Sequence, residues 1–378
     1  MPAGTLVQPG GMTALGYWLS DHRDLVFPTF AVFFVLLYNL FAWNAVGRDP
    51  TKGTIIPLFH PPKGYSPALT HYVNAMGFKQ SGWTAFTASI FDLGVKGLIE
   101  ISKPGKSLVL KVLKRPEAGE LPPGEAALFS YINMKGSLQI DKESGPKLNE
   151  KRGELVTTIE KENRERYFRN NYGYVVLGVV ISILMLGALV WLDVLQPVFL
   201  IVAFVASIAI GIFVSLFSGA RGGNIVGRIV AVIWFTIFGA NALGGLSGFF
   251  TDIRIDTGLV AAISIFAINI VFAVLMRAPT VQGRKLMDQI DGFKMYLETA
   301  EKERLNFKDE PQMTVKRFEA ILPFAIALGV EKPWSQRFEG ELARNAVPDA
   351  TGTTYSPRWY SGGSDWSSSS SGFANSVS

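Results

Sequence analysis

The sequence predicts a mainly α-helical integral membrane protein with five transmembrane helices and a cytoplasmic α+β insert of winged-helix-like order. The first observation behind this fold class is a set of five apolar stretches, each nearly free of charge and long enough to cross a hydrocarbon core of about 30 Å. The second is composition, because only 18% of the 378 residues are charged, whereas a soluble domain carries about 25%. The five stretches cover residues 25–46, 174–192, 199–217, 229–250 and 259–276.

The first stretch, 25–46, is predicted to be an uncleaved membrane anchor. The residues before it lack the basic segment and directly following apolar core of a signal peptide, so residues 1–24 are expected to form a short extracytoplasmic segment. Pro28 lies near the start of the stretch, where its missing N–H costs little. Trp18 and Trp43 lie near the two ends, as aromatic residues do at membrane interfaces.

The distribution of Lys and Arg predicts the orientation of the spans. Most of the 36 basic residues lie between residues 48 and 172 or between residues 277 and 344. The opposite side receives only Arg23 and Arg254, and cytoplasmic flanks are the ones enriched in basic residues. We therefore expect a multi-pass protein of the cell membrane with its N-terminus outside and its C-terminus in the cytoplasm.

The larger cytoplasmic segment, residues 48–172, is predicted to fold as a winged-helix-like domain. The pattern indicates one short helix at 67–76, a second at 83–95, and strand-like runs at 98–102 and 107–113 joined by a turn. Helix, helix, hairpin is the order of a winged helix, a scaffold that binds DNA but also packs proteins together.

The side chains of the second helix argue against binding of nucleic acid and for protein contacts. The second helix would read the bases, but it carries only Lys96 as a positive charge and no side chain suited to base edges. Residues 121–132 are predicted to start a further helix, and residues 148–170 are predicted to end in a charged helix, EKENRERYFR, that leads into the membrane. The basic residues near 161–169 are expected to face anionic lipid headgroups. We therefore expect a structural or protein-contact module.

The second cytoplasmic segment, residues 279–345, is predicted to be helical. It contains a helical stripe of apolar residues at positions 286, 290, 293, 297 and 300. A more apolar helix follows at 315–330, and it either lies on the membrane surface or packs on the winged-helix-like domain. Pro323 is expected to kink or interrupt that helix. The last segment, 346–378, is rich in Gly and Ser and is predicted to be disordered.

Polar and small residues inside the spans are predicted to pack helices together. None of the five stretches has an ionisable residue in its middle, which a catalytic or ion-coupled site in a membrane would need. Three amides well inside the spans are expected to form interhelical hydrogen bonds, namely Asn39, Asn241 and Asn269. Two stripes of small residues, predicted to meet within one chain or between subunits, comprise Ala203, Ser207, Gly211 and Ser215 in the third span and Ala240, Gly244 and Gly248 in the fourth.

The sequence indicates no catalytic residue, cofactor or metal. The chain has no cysteine, which excludes disulfides, thiolate metal sites and cysteine nucleophiles. His60 and His71 are separated by a proline-rich turn without a nearby carboxylate cluster, so they do not form the pattern of a metal site. Asp288 and Asp291 share a helix face, as many surface carboxylates do. The glycine-rich run 219–227 lacks the Lys-Ser/Thr pair of a phosphate-binding loop and is predicted to be a tight inner loop.

Five motifs along the chain resemble one bacterial family. They are GRDP at 47–50, the PP-G-SP-A pattern at 61–68, LGVKGLIEI at 93–101, GRKLMDQIDGFKMYLETAEKERL at 283–305 and PFAIALGVEKPWSQRF at 323–338. On these motifs the chain resembles the YciQ-like predicted membrane proteins of bacteria, a family defined by a domain of unknown function. The resemblance covers nearly the whole chain, and its last two motifs are quite specific.

The resemblance implies an architecture but no activity. It implies a signal peptide, an extracellular β domain, one span, a cytoplasmic insert, further spans and a Ser/Gly-rich tail. The signal peptide and the β domain are not found in this sequence, and residues 2–4 resemble the close of that domain's last strand. We therefore expect the chain to correspond to the C-terminal portion of a longer member.

Three functions remain open from the sequence. The leading hypothesis is a non-enzymatic scaffold or signalling platform that lies in the lipid bilayer and presents its cytoplasmic modules to a protein partner. The first alternative is a transporter or channel that uses spans two to five. The second alternative is a membrane-tethered DNA-binding regulator. A homo-oligomer is compatible with the sequence, which specifies no oligomeric state.

Overall fold

The chain divides into two compact units, each built from two separate stretches. The span unit comprises Met1–Arg48 and Asn170–Ala278, and the α+β unit comprises Asp49–Arg169 and Pro279–Ser378. The computed structural model describes residues 11–78, 82–103, 108–117, 119–141, 143–197, 199–200, 256–299, 310–344, 346–348, 350, 355 and 357–361.

The described elements are mainly helical. The helices are α1 (Gly11–Asp21), α2 (Arg23–Ala42, extended by a π-helical turn at Trp43–Gly47), α3 (Pro67–Asn74), α4 (Trp83–Val95), α5 (Pro123–Lys135), α6 (Gly145–Glu162), α7 (Tyr172–Trp191), α8 (Thr257–Leu275), α9 (Val281–Glu298), α10 (Val315–Leu328) and α11 (Glu331–Ala343). The strands are β1 (Ile99–Ser102), β2 (Leu108–Val112), β3 (Ser137–Ile140), β4 (Phe168–Arg169), β5 (Ala278–Pro279) and β6 (Tyr360–Ser361).

Three of the described helices are long and apolar enough to span a membrane. They are α2 with its π-helical turn, α7 and α8, and they correspond to the first, second and fifth predicted spans. The predicted spans 229–250 and 199–217, apart from the first two residues of the latter, lie outside the described residues. The same holds for Asn241 and for the predicted stripe residues Ala203, Ser207, Gly211, Ser215, Ala240, Gly244 and Gly248.

The helices of the span unit pack so that α2 lies against both α7 and α8. Aliphatic side chains such as Val35, Leu186 and Ile265 are buried between them. Other large apolar side chains, such as Phe33 and Ile183, are exposed. Helices that are apolar on all sides belong in a hydrocarbon environment, where the outward side chains meet lipid.

The α+β unit has one hydrophobic core, to which both of its stretches contribute. Its central helix is α4, in which every residue from Ala85 to Gly94 is buried. α3, α10 and β1 all pack against α4, so Phe86 belongs to the same core as Phe318 and Leu322. A helix that is apolar on all sides must be covered on all sides, and α10 of the second stretch provides part of this cover.

The second stretch therefore completes the fold of the first. The predicted apolar stripe is buried in α9 at 286, 290, 293 and 297. α10 packs on α3 and α4, which selects packing on the insert over packing on the membrane surface. Pro323 lies inside α10 without interrupting it. Every residue from Ile321 to Leu328 is buried, and this packing outweighs the cost of a proline within a helix.

A four-stranded sheet in the order β3-β2-β1-β6 belongs to this unit. β1 and β2 form the predicted antiparallel hairpin, with Ile101 opposite Leu110, and β3 pairs antiparallel with β2. β6 pairs parallel with β1. The sequence predicts disorder throughout the tail, but the structure differs at 357–361, because burial of Trp359 and Tyr360 outweighs the polar composition around them.

The order of elements in 48–172 agrees with the predicted helix, helix, hairpin pattern. α3, α4, β1 and β2 lie within two residues of their predicted ends. The charged helix predicted at the end of 148–170 is wrong beyond Glu162, where α6 ends, and Phe168–Arg169 form β4 instead. The C-cap residue Asn163 of α6 donates its side-chain amide to the Ile159 carbonyl at 2.8 Å. The winged-helix-like assignment itself stays a prediction, because element order alone does not establish a fold.

Candidate functional site

A buried carboxylate–lysine cluster in the α+β unit brings together Asp92, Lys96 and Glu125. Asp92 and Lys96 lie one turn apart at the C-terminal end of α4, and Glu125 lies in the first turn of α5. The Lys96 Nζ is 2.6 Å from Asp92 Oδ2 and 3.9 Å from Glu125 Oε2. The Glu125 side chain is only 1% exposed, and Asp92 is also buried. One ammonium group therefore compensates two buried carboxylates.

Local sequence brings these side chains to two helix ends. Gly97 adopts a left-handed conformation (φ 69°) directly after Lys96, which is a common way to end a helix. Pro123 opens α5, where its missing N–H has no helical partner to lose. A cation at the C-terminal end of one helix and an acid at the N-terminal end of another both complement the helix dipoles.

Burial dominates the electrostatics of the carboxylate–lysine cluster. The pKa of Glu125 is raised to about 7 by burial and by the charge of Asp92, although Lys96 and the Ser66 hydroxyl oppose the rise. Burial also raises the pKa of Asp92 against the opposing charge of Lys96. Burial alone would lower the pKa of Lys96, but Asp92, Glu125 and Glu120 together raise it. The cluster can therefore take up and release one proton near neutral pH.

The stability of the α+β unit is expected to decrease as the pH rises from 5 to 8. The folded-state pKa of Glu125 is about 7, and its unfolded-state pKa is about 4.3, so the folded unit binds this proton more tightly. The resulting stabilisation is complete below the unfolded pKa and is lost as the pH passes through the folded pKa. Asp92, whose pKa is also raised, acts in the same direction.

Glu125→Gln should remove most of this pH dependence, because the neutral amide does not titrate. The wild-type difference in the free energy of unfolding between pH 5 and pH 8 should exceed that of the variant by about 2 kcal/mol. Thermal unfolding in detergent at the two pH values measures it. Glu143→Gln, an exposed carboxylate, is the control and should behave as wild type. If the free energy of unfolding of Glu125→Gln depends on pH as that of wild type does, Glu125 is not the group responsible for the pH dependence.

The span unit holds an intramembrane polar cluster formed by Asn39, Gly178, Ser182 and Asn269. The Asn269 amide donates to Ser182 Oγ at 2.7 Å, and the Ser182 hydroxyl donates to the Gly178 carbonyl at 2.8 Å. A Cβ at Gly178 would lie 3.3 Å from the amide oxygen of Asn39 and 3.6 Å from that of Asn269. Both amide oxygens therefore lie close to this glycine, where α2, α7 and α8 pack against one another.

Of the three asparagines predicted to form interhelical hydrogen bonds, the structure describes Asn39 and Asn269, and their hydrogen bonds differ. Asn269 of α8 makes the interhelical hydrogen bond that the sequence predicts, to Ser182 of α7. Asn39 instead donates to the Val35 carbonyl of its own helix at 2.9 Å. A buried amide in a hydrocarbon environment must find partners, and both residues have them.

Asn171 ties together the ends of three helices of the span unit. It precedes α7 in a left-handed conformation (φ 49°), which Asn adopts more readily than most residues. Its side-chain amide donates to the Val46 carbonyl at 2.9 Å and to the Met276 carbonyl at 2.8 Å. Helix ends leave such carbonyls without partners inside the helix. The sequence gives no signal for this role beyond a polar residue in front of an apolar stretch.

His71 and His60, which the sequence places on either side of a proline-rich turn, do not belong to a cluster of metal-ligating side chains among the described residues. His71 is buried in α3, with Nδ1 2.8 Å from the Ala327 carbonyl oxygen. His60 is exposed. In the part of the chain that the structure describes, no group of three or more His, Asp and Glu residues could hold a metal ion.

Asp288 and Asp291 do share a helix face, as predicted, and their partner is the buried Arg284. Arg284 donates from Nε to Asp288 Oδ1 at 2.8 Å and from a terminal nitrogen to Asp291 Oδ2 at 3.1 Å. Asp288 also accepts the Gly53 N–H at 3.0 Å. This arrangement fastens the start of the first stretch to α9, so its role is structural.

The carboxylate–lysine cluster is a site that sequence reasoning does not find directly. Lys96 stands out in the sequence as the single cation of a candidate recognition helix, and the structure places it in an ion pair with Asp92. The available signal is Asp92 itself, an acid within the otherwise apolar run WTAFTASIFDLGV. The approach of Lys96 to Glu125 depends on the start of α5 lying near the end of α4, which residue spacing does not specify.

Apolar helices long enough to span a membrane, together with a folded α+β unit, define the class of the molecule, a mainly helical membrane protein. The family model described as "Predicted membrane protein (DUF2207) C-terminal domain" matches residues 56–338. The chain belongs to this family, which confirms the resemblance carried by its motifs. No curated protein and no solved structure matches the chain significantly.

Proposed function

We propose that the chain is a non-enzymatic membrane scaffold whose α+β unit lies in the cytoplasm and presents a surface to a protein partner. The observation that carries this proposal is the single core shared by the stretches 49–169 and 279–378. The chain leaves this unit for the apolar spans and then returns to complete it. Because both stretches of the unit connect to spans, the unit is attached to the membrane at two points of the chain rather than through a single flexible linker.

The shared core supports an even number of membrane crossings between the two stretches. Both stretches belong to one folded unit, so they lie on the same side of the membrane. α7 and α8 provide two crossings, and the predicted spans 199–217 and 229–250 would bring the number to four. The many Lys and Arg residues of both stretches favour the cytoplasmic side.

The packing of α4 weighs against a membrane-tethered DNA-binding regulator. A recognition helix needs an exposed face that enters the major groove. The residues of α4 are buried from Ala85 to Gly94, and its basic residue Lys96 is paired with Asp92. This favours the structural role of the helix over base reading.

The hydrogen bonds of Asn269 weigh against a transporter or channel. That alternative needs a polar cavity between Asn241, Asn269 and the glycine-rich part of the fourth predicted span. Asn269 donates to Ser182 Oγ and to the Ile265 carbonyl, so its amide serves helix packing.

Site-specific photo-crosslinking in cells tests the scaffold proposal. A photoreactive residue placed at Leu113 or Met134, apolar side chains that are exposed in the α+β unit, should form discrete adducts with another protein. The matched control is Phe41, an exposed apolar residue of a span, which should form no protein adduct because it faces lipid. Absence of protein adducts at both α+β positions, with the label incorporated, would overturn the proposal.

A further inference from the structure

Part of the C-terminal tail, Tyr355 and residues 357–361, occupies a groove beside β1. One wall is the edge of β1 that does not pair with β2, and the other walls are α4 and α10. We call it the strand groove, and the residues that define it are Phe91, Gly94, Ile101, Phe318 and Glu319.

The backbone of the tail completes the hydrogen bonds of β1. The Ile101 N–H donates to the Trp359 carbonyl at 2.7 Å, and the Lys103 N–H donates to the Ser361 carbonyl at 3.1 Å. Both N–H groups lie on the edge of β1 that does not pair with β2. Unpaired backbone groups along a sheet edge are a template for a further strand, and the tail provides that strand.

The side chain of Trp359 fills a pocket that is shaped for it. Its ring meets Phe91 edge-on at 5.7 Å between centroids. A Cβ at Gly94 would lie 3.2 Å from Trp359 Cε3, so glycine at this position leaves room for the indole. The indole Nε1 donates to Glu319 Oε1 at 3.2 Å, which satisfies the one polar group of a buried tryptophan.

Tyr355 fills a second pocket four residues earlier. Its ring meets Phe338 edge-on at 5.1 Å and Phe318 edge-on at 5.9 Å. Its hydroxyl donates to Glu319 Oε1, the same oxygen that accepts from Trp359. One carboxylate therefore recognises both aromatic side chains of the segment, and the spacing between them is part of the recognition.

We propose that the strand groove is a peptide-binding site whose ligand is a segment with Tyr and Trp four residues apart that ends in a short strand, supplied in cis by the C-terminal tail. Main-chain hydrogen bonds along a sheet edge with pockets for particular side chains are the features of peptide recognition by strand addition. The site goes beyond the scaffold role, and its test does not depend on that role.

The cis segment is expected to outcompete any ligand from outside. Val347 is buried in the core of the α+β unit, and only a short tether joins it to Tyr355. A short tether makes binding of a linked segment effectively intramolecular and gives it a high effective concentration. The groove of the full chain is therefore filled, and a peptide in solution should bind only when the tail is removed.

A synthetic peptide of residues 353–363, labelled with a fluorophore, tests the proposal by anisotropy in detergent. The chain truncated after Pro348 should bind it saturably, and the full chain should bind it at least tenfold more weakly. A Trp359→Ala peptide should bind the truncated chain at least tenfold more weakly than the native peptide. Glu319→Gln in the truncated chain should weaken the native peptide several-fold.

Two results would overturn the proposal. One is no saturable binding by a truncated chain that keeps the near-ultraviolet circular dichroism of the folded protein. The other is equal binding of the native and Trp359→Ala peptides. If truncation prevents folding, the full chain with Trp359→Ala replaces it, and this variant should bind the native peptide but not the Trp359→Ala peptide.

Discussion

Gly283→Ala is expected to destabilise the α+β unit by about 3 kcal/mol or more, the upper end for overpacking of a core. Gly283 lies in the first turn of α9, directly against the backbone before β4. A Cβ at this position would overlap the Tyr167 carbonyl oxygen and lie 2.6 Å from its carbonyl carbon. The same oxygen accepts the Thr280 N–H at 2.9 Å, so the backbone cannot move aside without losing a hydrogen bond.

Thermal unfolding in detergent, followed by tryptophan fluorescence, measures the effect. Gly292→Ala should behave in the same way, because a Cβ there would overlap the Ile56 carbonyl oxygen. Gly340→Ala is the matched control, since it changes a helical glycine with no atom within 4 Å of the added Cβ. That control should gain about 0.5–1 kcal/mol from helix propensity. An unfolding temperature of the Gly283→Ala chain equal to that of wild type would contradict the close contact between Gly283 and the Tyr167 carbonyl.

Lys96→Met is expected to destabilise the α+β unit by about 3 kcal/mol at pH 8, as is typical when one partner of a buried ion pair is removed. The substitution keeps most of the side-chain volume but leaves Asp92 and Glu125 without a cation. Both carboxylates are buried, so each must stay protonated or the unit must open. The loss should be smaller at pH 5, where protonation of Glu125 costs less.

A triple variant and a single control variant separate the effect of charge from the effect of packing. Lys96→Met combined with Asp92→Asn and Glu125→Gln should recover much of the lost stability, because no uncompensated buried charge remains. Lys135→Met, at an exposed position of α5, should change stability by less than about 0.5 kcal/mol. Equal destabilisation by Lys96→Met at pH 5 and pH 8 would indicate a packing effect and contradict the electrostatic account.

Local signals in the sequence predict much of the first stretch of the α+β unit. Ser66 before Pro67 marks the start of α3, and the Ser66 Oγ accepts the Leu69 N–H at 3.3 Å. Gly97 marks the end of α4 with its positive φ. Such caps and turns depend on neighbouring residues alone, and so a single sequence is enough to locate them.

The features that the sequence did not reveal depend on pairings between distant parts of the chain. β6 is two residues of a Ser-rich tail that pair with β1, some 260 residues earlier. The carboxylate–lysine cluster needs α5 beside α4. The packing of α10 on α4, which the sequence leaves open against packing on the membrane surface, depends on such a pairing as well. In each case the local sequence pattern is also compatible with a solvent-exposed segment. The segment is buried only because a distant part of the chain packs against it.

Disulfide trapping tests the central claim that the two stretches flanking the spans form one folded unit. The natural chain has no cysteine, so Gly53→Cys with Asp288→Cys can be made in the native background. A Cβ at Gly53 would lie 3.9 Å from Asp288 Cγ, the atom whose place the sulfur of a cysteine would take, so side-chain rotation can bring the two sulfurs to bonding distance. Mild oxidation of membranes should give a disulfide-linked pair of peptides in mass spectra, whereas Gly53→Cys with Gln289→Cys, one residue further round α9, should not. Failure of the 53–288 pair to form, with both thiols open to maleimide, would contradict the account.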